Sequence, residues 1–190
     1  MSQADIDAFV VSARFGILTP ESATAAVASR GVPVNGRHSR IGSTTLHWAV
    51  RLKRRELVVA LLEVGADTNV KNNHGVTSVW SAAFGSTADI MQLLIDGGGS
   101  INSVDNVGQT PLIALVMYNY GKAAARLQVL LAYPELDLDS TYERKTAEEW
   151  AVHCGHTQLA VAIAEERARR ERWSALRAAW IAATANPSVF

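Results

Sequence analysis

His153, Cys154 and His156 are where side chains able to ligate a metal or act as nucleophiles crowd together in the sequence. A structural zinc site takes four nitrogen or sulfur ligands, and the single cysteine of the chain leaves no second cysteine pair to complete one. As a nucleophile, Cys154 would need a base beside it, and His153 or His156 is the candidate. The paired carboxylates Glu148-Glu149 and Glu165-Glu166 sit in helical contexts and read as solvated faces. Gly97-Gly98-Gly99 lacks the lysine and following helix of a phosphate loop, and no G-x-S-x-G elbow is present. The residues therefore predict no catalytic set, no metal site and no cofactor. Two non-catalytic features remain: the basic run Lys53-Arg54-Arg55, read as a charged solvent loop, and the arginines 167, 169, 170, 172 and 177 near the C-terminal end.

Composition narrows the class further. Lys plus Arg and Asp plus Glu each total 18, a formal net charge of zero, which argues against a dedicated nucleic-acid binder. Nearly half the 190 residues are hydrophobic, enough for a continuous core, yet no run approaches the roughly 20 apolar residues of a membrane helix. Met1 to Ile17 carries Asp5 and Asp7 and no long apolar stretch, so it is expected to be neither a secretory signal nor a transit peptide. One cysteine fits a reducing compartment, and a cytoplasmic or nuclear location is expected.

The elements that must position any site recur at a fixed spacing. Gly42, Gly75 and Gly108 lie 33 apart (75 − 42 and 108 − 75), and each precedes a threonine by two residues. The glycine lets the backbone turn sharply and the threonine hydroxyl caps the helix that follows. After Thr44 come a helix to about Leu52 and a second from Glu56 to Val64, whose Val58, Leu61 and Leu62 form one apolar stripe. The second unit repeats this with Ala82, Ala83, Met91, Leu94 and Ile95, and its triple glycine at 97–99 predicts a looser turn. In the third unit Leu130 lies 20 residues past Thr110, whereas Leu61 lies 17 past Thr44, so three extra residues near Asn119 to Ala123 are expected to bulge outward. Pro134 falls where the glycine region of that unit belongs. The fourth unit carries Arg144 in place of the glycine and runs on into one long helix from Thr157 to about Thr184, stopped by Asn186-Pro187, with a frayed tail from Ser188 to Phe190.

Thr44-Thr45-Leu46-His47-Trp48-Ala49, Gly65-Ala66-Asp67, Gly108-Gln109-Thr110-Pro111-Leu112 and Gly155-His156, in register, carry a likeness. Over Ile6 to Glu166 the chain resembles the ankyrin repeat proteins, whose repeat is about 33 residues. It departs in keeping the signature proline only at Pro111 and the signature histidine only at His47; Trp80, Ile113 and Glu149 hold the other histidine positions. His47 is expected to hydrogen-bond within or between repeats, and Asn69 and Asn102 to hold the hairpin that follows each.

The resemblance implies an all-α repeat solenoid: stacked helix-turn-helix units joined by β-hairpin-like loops, with a helical C-terminal extension. Residues 1–36 read as a degenerate N-terminal capping repeat, 37–166 as repeats (about 38–70, 71–103, 104–140 and 141–166), and 167–190 as a cap that lays Trp173 and Trp180 over the last repeat. In similar stacks, partners contact the hairpin tips and the inner face of each first helix. Carried onto this chain, that makes Arg40, Arg51, Leu52, His74, Phe84, Gln109, Met117, Tyr118, Tyr142 and Lys145 the predicted partner-binding residues, with Phe84, Met117 and Tyr118 as exposed apolar anchors. The expected function is non-enzymatic binding of a protein or peptide across the concave face by a chain that is monomeric on its own. The alternative is an assembly subunit that self-associates or docks through Trp173, Leu176 and Trp180 of the C-terminal helix.

Overall fold

The computed structural model describes residues 2–118 and 122–184. Helices come in pairs: α1 (Gln3–Arg14) with α2 (Pro20–Arg30), α3 (Thr45–Arg51) with α4 (Arg55–Glu63), α5 (Ser78–Gly85) with α6 (Ala88–Asp96), and α7 (Pro111–Tyr118) with α8 (Ala123–Leu131). A two-residue hairpin, β1 (Thr141–Tyr142) and β2 (Lys145–Thr146), leads into α9 (Ala147–His153) and the 28-residue α10 (Thr157–Thr184). The predicted stop at Asn186-Pro187 and tail at Ser188 to Phe190 lie outside the described residues.

The start of each inner helix follows from its threonine. Thr44, Thr77, Thr110 and Thr146 each accept, through the hydroxyl, the backbone N–H three residues on, at 3.2 to 3.5 Å. Such a cap is worth about 1 kcal/mol. Inner helices α1, α3, α5, α7 and α9 pack successively in one layer, and outer helices α2, α4, α6, α8 and α10 in a second. Leu46, Leu57, Leu61, Ile90, Met91, Leu94, Leu112, Ile113, Leu127 and Leu130 are all but fully buried between the layers. Burial of each such side chain stabilises the stack by roughly 1.5–3 kcal/mol.

Polar ladders run along the same axis. Asn69 donates from Nδ2 to the Gly98 carbonyl (2.9 Å) and accepts at Oδ1 from the Ser100 N–H (2.8 Å). Asn102 does the same with the Glu135 carbonyl (2.7 Å) and the Asp137 N–H (2.9 Å), and Asn35 with Gly65 and Asp67. The partner of each asparagine is thus the turn closing the next unit, one repeat further than the hairpin expected from sequence. His47 bonds both within and between units. Its Nδ1 accepts from the Thr44 N–H at 3.2 Å, so the proton sits on Nε2, which donates to the Val76 carbonyl at 3.0 Å. Trp80 replaces histidine one unit later and makes the same link, Nε1 to the Gln109 carbonyl at 3.1 Å.

Several expectations change. The triple-glycine turn is closed by backbone bonds from Gly97, Gly98 and Gly99 to the end of α6; of the three, Gly98 alone takes positive φ, and a methyl group on Gly99 would lie 2.5 Å from Val79 Cγ2. Of the segment expected to bulge, Asn119 to Gly121 lies outside the described residues, while Ala123 is buried at the start of α8. Near Pro134 the outer helix ends by a short turn, with the Tyr133 N–H on the Leu130 carbonyl.

The largest correction concerns the C-terminal helix. No break separates residues 157–166 from those that follow, and Trp173 and Trp180 do not cover the last repeat: they are 66% and 67% exposed. The anchors are arginines instead. Arg170 donates to the Leu136 and Tyr133 carbonyls at 2.7 and 2.9 Å, and Arg167 to the Leu138 carbonyl at 3.0 Å while pairing with Asp139 and Glu148. Burial alone would push the Glu166 carboxyl up, but hydrogen bonds from Arg170 and Arg169 outweigh it and hold the carboxyl low. Beyond Arg170 every side chain whose exposure is described is exposed, so the helix leaves the stack there.

Candidate functional site

An open groove of about 650 Å³ lies along the inner helices and the tips that precede them. Its lining comes from four successive units: His47, Trp48 and Arg51 of α3 with Lys53 just after it; Trp80, Ser81 and Phe84 of α5; Tyr118 of α7; and the tip residues Ser43, Asn72, His74, Val76, Asp105, Val107, Gln109 and Tyr142.

The tips are shaped by backbone and short polar side chains. Asn72 Oδ1 accepts from the N–H groups of His74 and Val76 at 2.8 and 3.1 Å, and Asp105 Oδ1 from those of Val107 and Gln109 at 3.0 and 2.9 Å. Consecutive tips are bonded to each other: the Asn73 N–H to the Ile41 carbonyl (3.2 Å) and the Asn106 N–H to the His74 carbonyl (2.9 Å). Gly75 has φ +76, and a methyl group there would meet the Asn106 Oδ1 at 2.4 Å, so this close approach requires glycine.

Aromatic rings form the floor. Trp80 and Phe84 are nearly parallel with centroids 5.7 Å apart, and Phe84 and Tyr118 meet at 4.9 Å and 56°. Helical spacing produces this row, because positions 80 and 84 are one turn apart and α7 lies against α5. At one end, two guanidinium groups lie over the Trp48 ring, Arg14 at 5.2 Å and Arg51 at 5.7 Å from its centroid. Of the charged groups lining the groove, Arg51, Lys53 and His74 carry or can carry positive charge, while the Asp105 carboxylate already serves two backbone donors. Such a surface suits a ligand segment with apolar or aromatic groups and some negative charge.

The structure brings Arg51, His74, Phe84, Gln109, Tyr118 and Tyr142 to this one groove, out of the ten residues predicted. Within that set Gln109 is buried, 4% exposed: its carbonyl serves Trp80, and its amide reaches the Met117 sulfur at 3.6 Å. Met117 is half-buried against the core and Phe84 is half-buried as well, so of the three expected apolar anchors only Tyr118 is exposed. Arg40 and Leu52 are exposed outside the groove lining, and Lys145 lies over the Trp150 ring at 4.8 Å. Trp48 and Trp80 were missed as groove residues. The signal was available, since large rings at two successive units of a repeat whose template there is small or imidazole are departures of the same kind as Phe84.

The nucleophile or metal candidates do not form a site. His153 packs edge-on to Trp150 at 5.3 Å, His156 Nδ1 lies 2.7 Å from the Val116 carbonyl, and Cys154 is half-buried. Among the described residues no group of three or more His, Cys, Asp or Glu is placed to hold a metal. Nor is any helix among them long and apolar enough to cross a membrane.

Comparison with known proteins gives the relatives of the chain. Residues 41–73 match the family model described as ankyrin repeat. An ankyrin repeat protein of fowlpox virus (strain NVSL) is 37% identical over 98 residues, 48% of this chain and 29% of that protein. Palmitoyltransferase ZDHHC13 of Homo sapiens is 30% identical over 128 residues, 67% of this chain and 20% of that protein. Neurogenic locus notch homolog protein 1 of Homo sapiens is 28% identical over 149 residues, 75% of this chain and 6% of that protein. The chain thus spans less than a third of the length of these relatives.

Proposed function

The chain is an ankyrin-repeat protein, a kind of stack that generally serves protein–protein interaction, and from that premise we propose that it binds an extended protein or peptide segment in the tip-and-inner-helix groove. The observation that carries this reading is the aromatic row Trp80–Phe84–Tyr118 opening onto a groove edged by Arg51, Lys53 and His74. The stack itself uses Trp80 for its bond to Gln109, the Phe84 and Tyr118 rings meet across neighbouring units beside it, and aromatic and arginine side chains are the usual anchors of an interface. In this reading the chain acts as a monomer, without catalysis or cofactor, in the cytoplasm or nucleus.

The test is a comparative pull-down with the parent chain, a Phe84→Ala/Tyr118→Ala variant, and a Glu63→Ala control on the exposed end of α4. Partners retained by the parent and the control should be lost from the double variant while its circular dichroism stays unchanged. Full retention of every partner by a folded double variant would remove the groove from consideration.

A further inference from the structure

The overhanging half of α10 presents a second, independent surface. Trp173, Leu176 and Trp180 fall at i, i+3 and i+7, on one side of the helix, and are 66%, 62% and 67% exposed. Together with Leu131, Ala132 and Pro134 at the end of α8 they line an open groove of about 1170 Å³, whose apolar floor lies alongside the helix rather than across its tip. The charges bordering the stripe have one sign. Arg172 and Arg177 lie on its two sides, and among the described residues neither is in an ion pair. Glu166, in the same groove, is already taken by Arg169 and Arg170, Glu171 is turned to the opposite side of the helix, and Glu165 lies nearly two turns back from Arg172.

These features select among occupants. A second copy would have to pair like with like. With the stripes crossing antiparallel about Leu176, Arg177 meets its own counterpart, and with the stripes parallel Arg172 meets Arg177, with no free carboxylate to offset either. The area also falls short. Two tryptophans, a leucine and part of Ile181 offer on the order of 500 Å² per chain, below the roughly 800 Å² per partner of a standard stable interface. One helix lying in the groove covers the stripe together with Leu131 and Pro134, and acidic flanks on it would meet Arg172 and Arg177.

We propose that the groove between the overhang of α10 and the end of α8 docks an amphipathic helical segment whose apolar stripe is flanked by aspartate or glutamate. This does not depend on the aromatic groove of α3, α5 and α7, and a Phe84→Ala/Tyr118→Ala variant binds such a segment as the parent does.

The experiment uses the full chain and two fluorescein-labelled synthetic helical peptides of 18 residues with the same leucine and alanine stripe, one flanked by glutamate and one by lysine, read by anisotropy at 100 mM salt. The glutamate peptide binds at least tenfold tighter than the lysine peptide. Trp173→Ala/Trp180→Ala weakens it at least tenfold without changing the melting temperature, and Arg172→Glu/Arg177→Glu reverses the preference. Equal binding of both peptides, or binding of neither, overturns the proposal. So does a concentration-dependent dimer in sedimentation that Trp180→Ala abolishes, which would make a second copy the occupant. Co-sedimentation with phosphatidylglycerol vesicles that the tryptophan double variant abolishes would overturn it in favour of an anionic lipid surface.

Discussion

Glu143 and Arg144 connect β1 to β2 with φ of +48° and +63°. A two-residue hairpin with a type I′ turn has positive φ at both positions, and the units before this one place Gly42, Gly75 and Gly108, all at positive φ, where Arg144 stands. A residue with a Cβ loses about 1 kcal/mol or more in that conformation. Arg144→Gly should therefore stabilise the fold by up to about 1 kcal/mol, raising the melting temperature by about 2–4 °C in calorimetry. An unchanged or lower value would mean that the arginine side chain compensates elsewhere. His47 carries a different kind of strain. Burial, followed by the positive charge of Arg37, pushes its pKa below the ordinary 6.5 despite the bond to Val76, so the folded chain holds it neutral. Between that lowered value and 6.5 the unfolded chain binds a proton that the folded chain refuses, so stability rises with pH there. The contribution is complete above about pH 6.5 and lost progressively as pH falls below it. Urea midpoints measured from pH 7.5 to 5 should fall more steeply for the parent than for His47→Gln, and parallel slopes would count against the assignment.

At the scale of the element, the inner helices could be read from the sequence because their determinants are local. A threonine two residues past a glycine sets the start, and apolar residues three and four apart set the buried side, so α3 and α5 fall within two residues of where the pattern puts them. Contacts between elements were not legible in the same way. Arg126 occupies the position in α8 that buried Leu57 holds in α4 and Ile90 in α6, so the repeat sets a charged group in the core, and it is only 2% exposed. Its guanidinium donates to the Ala83 and Ser86 carbonyls at 3.2 and 2.8 Å, capping the C-terminal end of α5, where the helix dipole favours a cation. Burial lowers its pKa, which remains far above neutrality for a guanidinium. The same limit explains the misplaced cap: nothing in the spacing of Trp173 and Trp180 shows that Arg167 and Arg170 would spend their donors on the turn after α8 and release the helix beyond it. In the groove, position alone placed Phe84 and Tyr118, while the burial of Gln109 and Met117 depended on packing with the neighbouring unit. Arg126→Ala removes the charge-assisted hydrogen bonds to Ala83 and Ser86 and leaves a cavity, and should cost about 3–5 kcal/mol in urea denaturation. A loss under 1 kcal/mol would show that α5 ends as well without it.

For the molecule as a whole, stability in a stack is close to a sum over units and the interfaces between neighbours, so the thinnest interface opens first. In the outer layer, α4 buries Leu57, Val58, Ala60 and Leu61, and α6 buries Ile90, Met91 and Leu94, whereas α2 buries only Ala23. Phe9, Val10 and Ala13 of α1 supply most of the remaining apolar contact of the first unit. Polar links make up part of the difference. Asp7 Oδ1 accepts from the Ser39 N–H at 2.8 Å and its second oxygen from the Ser39 hydroxyl, and Gln3 Nε2 reaches the Arg37 carbonyl at 3.0 Å. Hydrogen bonds from Ser39, then from Gln3, hold the Asp7 carboxyl down to about 2 from the ordinary 3.8. A lowered carboxyl pKa stabilises above the unfolded value and loses that contribution as pH falls from 3.8 toward 2, so acid should loosen the first unit before the rest of the stack. Hydrogen exchange at neutral pH should accordingly be fastest, among α1 to α9, in α1 and α2. Asp7→Asn should raise it there and in residues 37–40 while leaving α5 to α9 unchanged. A rise spread evenly over all the helices would mean that the units unfold together, and that the stack behaves as one cooperative body in spite of its thin first interface.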